Sequence, residues 1–266
     1  MPAKISVDKL QEGLLTKRLG KCIFYTREVG STNEWAKELA KLGAEEGTVA
    51  VAETQTAGRG RLGREWLSPE GGLWFSVVLR PKLRVSEAVG LVFAASLAVA
   101  EVLHEAYGLA VETEWPNDVL VRGRKICGIL CEMSTTSEAV NFVVVGAGVN
   151  VNLDVGSVLP RSLQSVATSV QNELGKKVRL EGLLRFMLEK LEIVYDLYVK
   201  EGVVPVLEKW KKYARFIGQT VRVASGNERV CGLVFDVDSE GALVLKLENG
   251  TLRRFLVGDV SLEQKQ

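Results

Sequence analysis

Apolar and polar residues alternate over short stretches in the first 150 residues, and this two-residue period predicts β-strands. The predicted strands are 22–29, 48–53, 73–79, 111–115, 119–122, 125–133 and 139–151. Apolar positions three and four residues apart predict helices at 32–42 and 86–107, and helical spacing dominates from 164 to 214. Short polar turns join the later strands. This order favours an antiparallel or mixed sheet with helices packed on one face, which is the α+β class.

The pattern changes after Gly218, where only short strands with turn residues between them are predicted. These strands are 221–224, 229–237, 242–247 and 252–257. Strands this short need a way to protect their edges, so we expect a small β-barrel or half-barrel. The chain is therefore predicted to have two domains, residues 1–215 and residues 216–266.

The loop between the second and third predicted strands, residues 55–66, contains three glycines, three arginines and Trp66. Glycines let a backbone approach a ligand closely, and arginines pair with phosphate or carboxylate. The letters also satisfy G-x-G-x-x-G, but no helix follows, as a dinucleotide-binding turn requires. A mobile basic surface loop is the alternative. Long loops in compact domains are usually functional or disordered, so we expect this one to bind an anion.

Composition excludes several classes of protein. The chain has 34 Lys and Arg against 33 Asp and Glu, a net charge of +1, so no general field attracts nucleic acid or a membrane. Its longest apolar run, 88–102, is interrupted and too short to span a membrane, and no signal peptide is visible, so we predict a cytoplasmic protein. A single histidine excludes a zinc quartet or a Ser/His/Asp triad. Cys127 and Cys131 share one face of a strand and are expected in the core.

Three further segments carry polar groups that suit a ligand. Ser31 and Glu34 have the spacing of a capping box, which favours simple helix capping, although the two residues between them add neutral donors and acceptors. Lys125 opens an apolar strand, so its ammonium lies either at a pocket or at a solvated strand end. The glycines before Asn150 indicate a β-bulge or a nucleotide-binding edge.

Taken in order, the segments resemble the biotin–protein ligases, also called biotin–[acetyl-CoA-carboxylase] ligases, along nearly the whole chain. The resemblance is carried by Ser31-Thr32-Asn33, by Gln55 with Gly58-Arg59-Gly60-Arg61-Leu62-Gly63-Arg64 and Trp66, by Trp115-Pro116-Asn117-Asp118, by Lys125 with Gly128-Ile129-Leu130, by Gly146-Ala147-Gly148-Val149-Asn150 and by Ala167-Thr168-Ser169. It implies an enzyme that converts biotin and ATP to biotinyl-5′-AMP and then transfers biotin to a lysine of a biotin carboxyl carrier protein.

The resemblance also implies site residues. Biotin-binding positions are Ser31, Thr32, Asn33, Gln55, Gly58, Arg59, Gly60, Arg61, Lys125 and Gly128. Nucleotide-binding positions are Arg61, Trp66, Asn117, Lys125 and Asn150. Catalytic positions are Lys125, Arg61 and Asp118, with Asp118 either a partner for Mg²⁺ or a helper in deprotonating the incoming lysine. Homodimers are common in such ligases, so a homodimer is expected.

Two departures from the family pattern affect these expectations. Glu114 stands where the family usually has lysine or arginine, so a basic group near the phosphates is missing and Lys125 or Arg122 is expected to replace it. Only about 20 residues precede the first core strand, too few for a DNA-binding helix-turn-helix module. We therefore expect a ligase without repressor function or nucleic-acid partner. The alternatives are a lipoate–protein ligase and a non-catalytic relative that binds the carrier.

Overall fold

The computed structural model describes residues 5–137, 139–226 and 228–262. The helices are α1 Val7–Gln11, α2 Thr32–Lys41, α3 Val85–Ala88, α4 Leu91–Glu105, α5 Val155–Val158, α6 Arg161–Gln164, α7 Val170–Leu174, α8 Leu180–Glu201 and α9 Val203–Lys211. The strands are β1 Ile23–Val29, β2 Val49–Gln55, β3 Leu73–Leu79, β4 Val111–Glu114, β5 Asp118–Val121, β6 Arg124–Thr135, β7 Val140–Val149, β8 Thr220–Ser225, β9 Glu228–Val237, β10 Leu243–Lys246, β11 Leu252–Phe255 and β12 Asp259–Leu262.

The first seven strands form one sheet in the order β1-β2-β3-β7-β6-β5-β4. β1 and β2 pair in parallel, and the other neighbours pair antiparallel. β3 lies near the middle, and all seven of its residues are buried, as expected for a strand covered on both faces. The predicted α+β class with a mixed sheet is confirmed.

Helices cover both faces of this sheet, whereas the sequence pattern favoured one face. α4 packs on the face that carries Phe75 and Val77, and α8 and α9 pack against α4. α2 lies on the opposite face, where Ala36 and Ala40 pack against Val78. Neighbouring residues of a strand point to opposite faces, so an entirely apolar strand such as β3 needs cover on both.

The predicted helix 86–107 is divided into α3 and α4 at Gly90. A Cβ at Gly90 would overlap the Tyr198 hydroxyl of α8, so the close approach of the two helices requires glycine there. The span Val85–Glu105 is long and apolar enough to cross a membrane by length and composition. However, two-thirds of it is buried inside the protein, which is typical of a core helix.

The last five strands form a second, antiparallel sheet in the order β11-β10-β9-β8-β12. β11 and β12 are its two edges, so the hydrogen-bonded ladder is open rather than closed into a barrel. The sheet joins the main core through Trp115, whose Nε1 donates to the Gly241 carbonyl at 2.9 Å. The sequence pattern missed β12, the strand that begins with Asp259.

The cysteines behave as core and surface residues rather than as metal ligands. Cys127 is buried, and Cys131 is partly buried against the same core. Burial raises the pKa of the Cys131 thiol to about 12, which makes it a poor nucleophile at neutral pH. Cys22, Cys127 and Cys131 have free thiols. Within the described residues, no group of three or more His, Cys, Asp or Glu side chains could hold a metal ion.

Candidate active site

The glycine-arginine loop that joins β2 to β3 folds back on itself like a short hairpin. Gly60 N donates to Arg64 O at 2.7 Å, and Trp66 N donates to Gly58 O at 2.9 Å. At its tip, Leu62 has a positive φ of 56°, an uncommon conformation for a residue with a side chain. A Cβ at Gly58 would overlap the Trp66 carbonyl, so this glycine lets the two arms of the loop meet.

Each arginine of the loop contacts a different part of the protein. Arg59 donates to Glu34 Oε1 of α2 at 2.5 Å. Arg61 donates to Asn117 Oδ1 at 3.1 Å and to the Gly258 carbonyl at 3.3 Å. Arg64 pairs with Asp259 of the second sheet. The loop therefore extends from α2 to the C-terminal sheet and covers the space between them.

Trp66 lies on a floor of glycines beneath the loop. Gly128 of β6 and Gly148 of β7 are paired across the two strands. A Cβ at Gly128 would lie 2.9 Å from Trp66 Cζ3, and one at Gly148 would overlap the indole nitrogen, so the flat ring requires both glycines. The indole N–H is buried without a hydrogen-bond partner. Lys125 Nζ lies 5.1 Å from the ring centroid, within range of a cation–π interaction.

Two cavities meet at this point. The inner cavity lies between α2, the loop and the glycine floor. The site residues predicted from the sequence that line it are Ser31, Thr32, Asn33, Gln55, Arg59, Gly60, Arg61, Trp66, Asn117, Asp118, Lys125 and Gly128. Asn150 lines the outer cavity instead. Of the predicted residues only Gly58 lines neither, because its role is within the loop.

Neutral polar side chains at the start of α2 form a hydrogen-bonded cluster in the inner cavity. Gln55 Oε1 accepts from the backbone N–H of Thr32 at 2.8 Å and lies 3.1 Å from the Thr32 hydroxyl. Ser76 Oγ of β3, which is fully buried, lies 2.8 Å from Thr32 Oγ1 and 2.6 Å from Asn33 Oδ1. The cluster is continuous from β2 through α2 to β3.

The capping-box interpretation is wrong. Ser31 is the N-cap residue of α2, but its side chain makes no capping hydrogen bond. Glu34 binds Arg59 and Lys37 rather than the N-cap backbone. The backbone N–H of Thr32 at this helix end donates instead to the side chain of Gln55, which is distant in sequence. The Ser31 hydroxyl remains on the wall of the inner cavity.

Lys125 and Asp118 form an ion pair at the boundary of the two cavities, with Nζ to Oδ2 at 2.6 Å. Burial raises the pKa of Asp118, while the charges of Lys125 and Arg61 oppose the rise. Its second oxygen, Oδ1, is buried without a hydrogen-bond partner. Asp118 is therefore a carboxyl group with one unused oxygen, held next to a fixed positive charge.

The outer cavity opens on the other side of Lys125 and Trp66, which line both cavities. It is bounded by Asn150, by Phe216 and by the strand-end residue Glu114. Burial, together with the Asp118 carboxylate directly opposite on β5, raises the pKa of Glu114 to about 7. Asn150 is fixed because its Nδ2 donates to the Thr168 carbonyl at 3.0 Å.

Several residues at the site were not predicted from the sequence. They are Ser76, Glu132, Lys37, Asp259, Arg215 and Phe216. For Ser76 the sequence held a signal, which is a hydroxyl in the middle of an apolar strand. The other residues carried no signal, because the sequence does not show which distant residues they contact. Arg122, expected to compensate for Glu114, lies 3.7 Å from Glu173 and lines neither cavity.

Comparisons with known proteins point to one family. Residues 25–150 match the Biotin/lipoate A/B protein ligase family, and residues 216–263 match the Biotin protein ligase C terminal domain. The Bifunctional ligase/repressor BirA of Bacillus subtilis is 36% identical over 262 residues, which cover 98% of this chain and 80% of that protein. The Biotin--[acetyl-CoA-carboxylase] ligase of Paracoccus denitrificans is 36% identical over 223 residues, 81% of this chain and 90% of that protein.

Among solved structures, the biotin protein ligase from Aquifex aeolicus in complex with biotin and ATP superimposes with a TM-score of 0.79 at 29% identity. The match covers 92% of this chain and all of that one. The shared fold and the matched family define a protein ligase. The chain belongs to the biotin protein ligase family, as its motifs predicted.

Proposed function

We propose that this protein activates biotin with ATP to form biotinyl-5′-AMP and then transfers the biotinyl group to a lysine of a biotin carboxyl carrier protein. The observation that carries the proposal is that Lys125 and Trp66 line both cavities. A carboxylate at the end of the inner cavity and a phosphate at the end of the outer cavity meet at the Lys125 ammonium. A ligase that joins two anions needs fixed positive charge at their meeting point.

The hydrogen-bonding cluster supports a ureido ring as the occupant of the inner cavity. The three oxygen–oxygen contacts among Ser76, Thr32, Asn33 and Gln55 share only two hydroxyl hydrogens, because both amide oxygens are acceptors. The cluster therefore has an unused acceptor, which favours a ligand with N–H donors. The uncommitted hydroxyl of Ser31 supplies a donor for the ureido oxygen.

In the first step, an oxygen of the biotin carboxylate attacks the α-phosphorus of ATP. The bond from this phosphorus to the bridging oxygen breaks, and pyrophosphate leaves. Lys125 and Arg61 stabilise the negative charge that converges on the phosphoryl group. Arg61 is suited to this role because its guanidinium is half-buried beside Asn117, where water screens its charge less.

In the second step, the carrier lysine attacks the carbonyl carbon of the mixed anhydride, the bond from that carbon to the phosphate oxygen breaks, and AMP leaves. The attacking amine loses a proton in this step. Asp118 is the nearest candidate to accept it, because its raised pKa and unpaired Oδ1 suit a proton acceptor.

Asp118 also suits a Mg²⁺ ion that accompanies ATP. Mg²⁺ is usually bound through one or two carboxylates together with substrate phosphates, and the buried Oδ1 without a partner provides one such ligand. The ion would shield the charge of the phosphates. Whether Asp118 binds the ion or accepts the proton is decided by whether extra Mg²⁺ restores the Asp118→Asn variant.

The outer cavity is proposed to hold the nucleotide, with Trp66 and Asn150 among its contacts. Phe216 offers an aromatic face, and Asn150 is buried and fixed by hydrogen bonds. The division of the chain into a ligase domain, residues 1–215, and a small domain, residues 216–266, is part of the same proposal. Residues of the small domain that border the cavity support a role for it in nucleotide binding.

The setting of the enzyme is also a proposal. The free thiols of Cys22, Cys127 and Cys131 favour a reducing compartment such as the cytoplasm. A homodimer is expected by analogy with the family, and light scattering at several concentrations tests it.

The test is calorimetry together with pyrophosphate release, using biotin, lipoate or neither with MgATP. We expect biotin to bind and to release pyrophosphate, and purified carrier domain then to become biotinylated. Release with lipoate alone would favour the second candidate, a lipoate–protein ligase, which the matched family includes. If neither acid leads to pyrophosphate release, the protein is a non-catalytic carrier-binding relative.

A further inference from the structure

The Asn33 side chain is held from three directions at the edge of the inner cavity. Its Nδ2 donates to Glu132 Oε2 at 2.9 Å and to the Leu130 carbonyl at 3.2 Å. Its Oδ1 lies 2.6 Å from Ser76 Oγ, and a Cβ at Gly146 would overlap this oxygen. The amide is therefore tightly enclosed, and its oxygen rather than its nitrogen faces Ser76 of the hydrogen-bonded cluster.

Glu132 is a carboxylate at one end of a chain of charged groups that reaches the loop. Its Oε1 accepts from Lys37 Nζ at 2.8 Å, and Lys37 also donates to Glu34 Oε1 at 2.6 Å. Glu34 in turn binds Arg59. Burial alone raises the pKa of Glu132, but hydrogen bonds from Lys37 and Asn33 outweigh this, so its pKa lies below the ordinary value.

We propose that Glu132 is a positioning residue that sets the orientation of the Asn33 amide and thereby the affinity of the inner cavity for a ligand with N–H donors. An asparagine amide presents a donor at one end and an acceptor at the other. An ionised carboxylate only accepts hydrogen bonds, so Glu132 holds Nδ2 and turns Oδ1 toward the cluster. This inference rests on the proposed biotin-binding role of the cavity.

Lys37 makes the orientation testable. In a Glu132→Gln variant the ammonium of Lys37 attracts the new amide oxygen, which leaves the new N–H₂ group against Asn33 Nδ2. Two donors then face each other, and the Asn33 amide is driven to reverse. The Leu130 carbonyl still favours the original orientation, so we expect weaker binding rather than complete loss.

The decisive experiment is a double-mutant cycle with biotin affinity measured by calorimetry without ATP. Glu132→Gln is expected to weaken biotin binding about tenfold, the size of one reversed hydrogen bond. Lys37→Met alone, which leaves the carboxylate in place, is expected to weaken it about threefold or less. The double variant should recover to the Lys37→Met level, because without Lys37 the glutamine can turn its oxygen toward Asn33.

Kinetics separate positioning from a general loss of structure. Glu132→Gln should raise the KM for biotin about tenfold, while kcat and the KM for ATP stay within about twofold. Glu38→Gln, which breaks the exposed pair with Lys41 on the same helix, is the matched control and should bind biotin like the wild type.

Three outcomes overturn the inference. Wild-type affinity in Glu132→Gln shows that the amide does not depend on the carboxylate. A double variant as weak as Glu132→Gln shows that the orientation is not governed by competition with Lys37. Failure of the wild-type protein to bind biotin removes the proposed function itself, and the inference with it.

Discussion

The inner and outer cavities share Lys125 and Trp66, but they are built in different ways. The polar side chains of the inner cavity are fixed by hydrogen bonds to one another and to the central sheet, as Gln55 and Ser76 show. The outer cavity is assembled from distant parts of the chain, including Glu114 of the first sheet and Phe216 beside the second. The inner cavity contains a hydrogen-bonded polar cluster on the central sheet, and the outer cavity depends on how two units of the fold meet.

This difference follows from where each cavity gets its side chains. Residues on adjacent strands are positioned by the ladder hydrogen bonds, so small groups such as hydroxyls and amides can be placed accurately. Residues from separate segments are positioned by packing and ion pairs, which tolerate movement. Under the proposed function, the ureido ring of biotin needs the first kind of positioning, and a nucleotide that leaves as pyrophosphate and AMP can use the second.

The largest effect is expected where the cavities meet. Lys125→Ala removes the charge shared by both cavities and leaves Asp118 buried without its partner. Pyrophosphate release should fall about 100-fold or more, because one electrostatic stabiliser commonly contributes that much. Lys82→Ala, on an exposed segment away from both cavities, is the matched control. A rate for Lys125→Ala close to that of the wild type would show that the shared boundary is not the reacting centre.

The second prediction concerns the cover of the inner cavity. Arg61→Gly removes the contacts from the loop to Asn117 and Gly258, so the adenylate should form but escape. Because a mixed anhydride reacts with any accessible amine, lysines on an unrelated protein should be biotinylated about tenfold more than by the wild type. A biotin blot measures this. Adenylate synthesis without extra labelling would show that Arg61 does not hold the loop closed over the adenylate.

The third prediction tests the charge of the outer cavity. Glu114 has a raised pKa of about 7, so it stabilises the fold fully below pH 4.5, and this contribution is lost as the pH rises through 7. Above pH 7 its buried charge also repels phosphates. Glu114→Gln should therefore raise stability at pH 8 by up to about 3 kcal/mol, and lower the KM for ATP about threefold.

At pH 5 the same variant should resemble the wild type, because Glu114 is then largely uncharged. Thermal melting and ATP kinetics at both pH values provide the measurement. Glu248→Gln, an exposed surface residue, is the control for a change of net charge. An equal effect of Glu114→Gln at both pH values would show that its charge plays no part.

The smallest effect is expected for the tie between the loop and the second sheet. Asp259→Asn weakens its pairs with Arg64 and Arg61, of which the Arg64 side chain is 59% exposed. Exposed ion pairs contribute little, so trypsin should cut the free protein at Arg59, Arg61 or Arg64 only about twofold faster.

Biotin should suppress that cleavage in both proteins, because the bound ligand orders the loop. Asp236→Asn, which breaks an ion pair with Lys211 away from the loop, is the control. Cleavage that is unchanged by biotin in the wild type would show that the loop does not close on the inner cavity.

The pattern of apolar and polar residues predicted the strands of both sheets well, including β3, which is buried along its whole length. β3 has the predicted bounds, and β10 and β11 lie within the predicted strands 242–247 and 252–257. The predicted helix 86–107 is divided at Gly90, where Tyr198 of a distant helix leaves no room for a side chain. β12 was missed, although its first residue binds the loop.

By itself, the sequence determined the family, the order of the motifs and the residue types at the site. The tertiary structure decided what those residues do to one another. Ser31 and Glu34 have the spacing of a capping box, but they do not cap the helix. Gln55 accepts the hydrogen bond from the helix N-terminus, and Glu34 binds Arg59. Glu132 acquires a role only because β6 brings it beside Asn33. Hydrogen bonds and ion pairs act over a few ångströms in space, and chain spacing does not report which distant residues come that close.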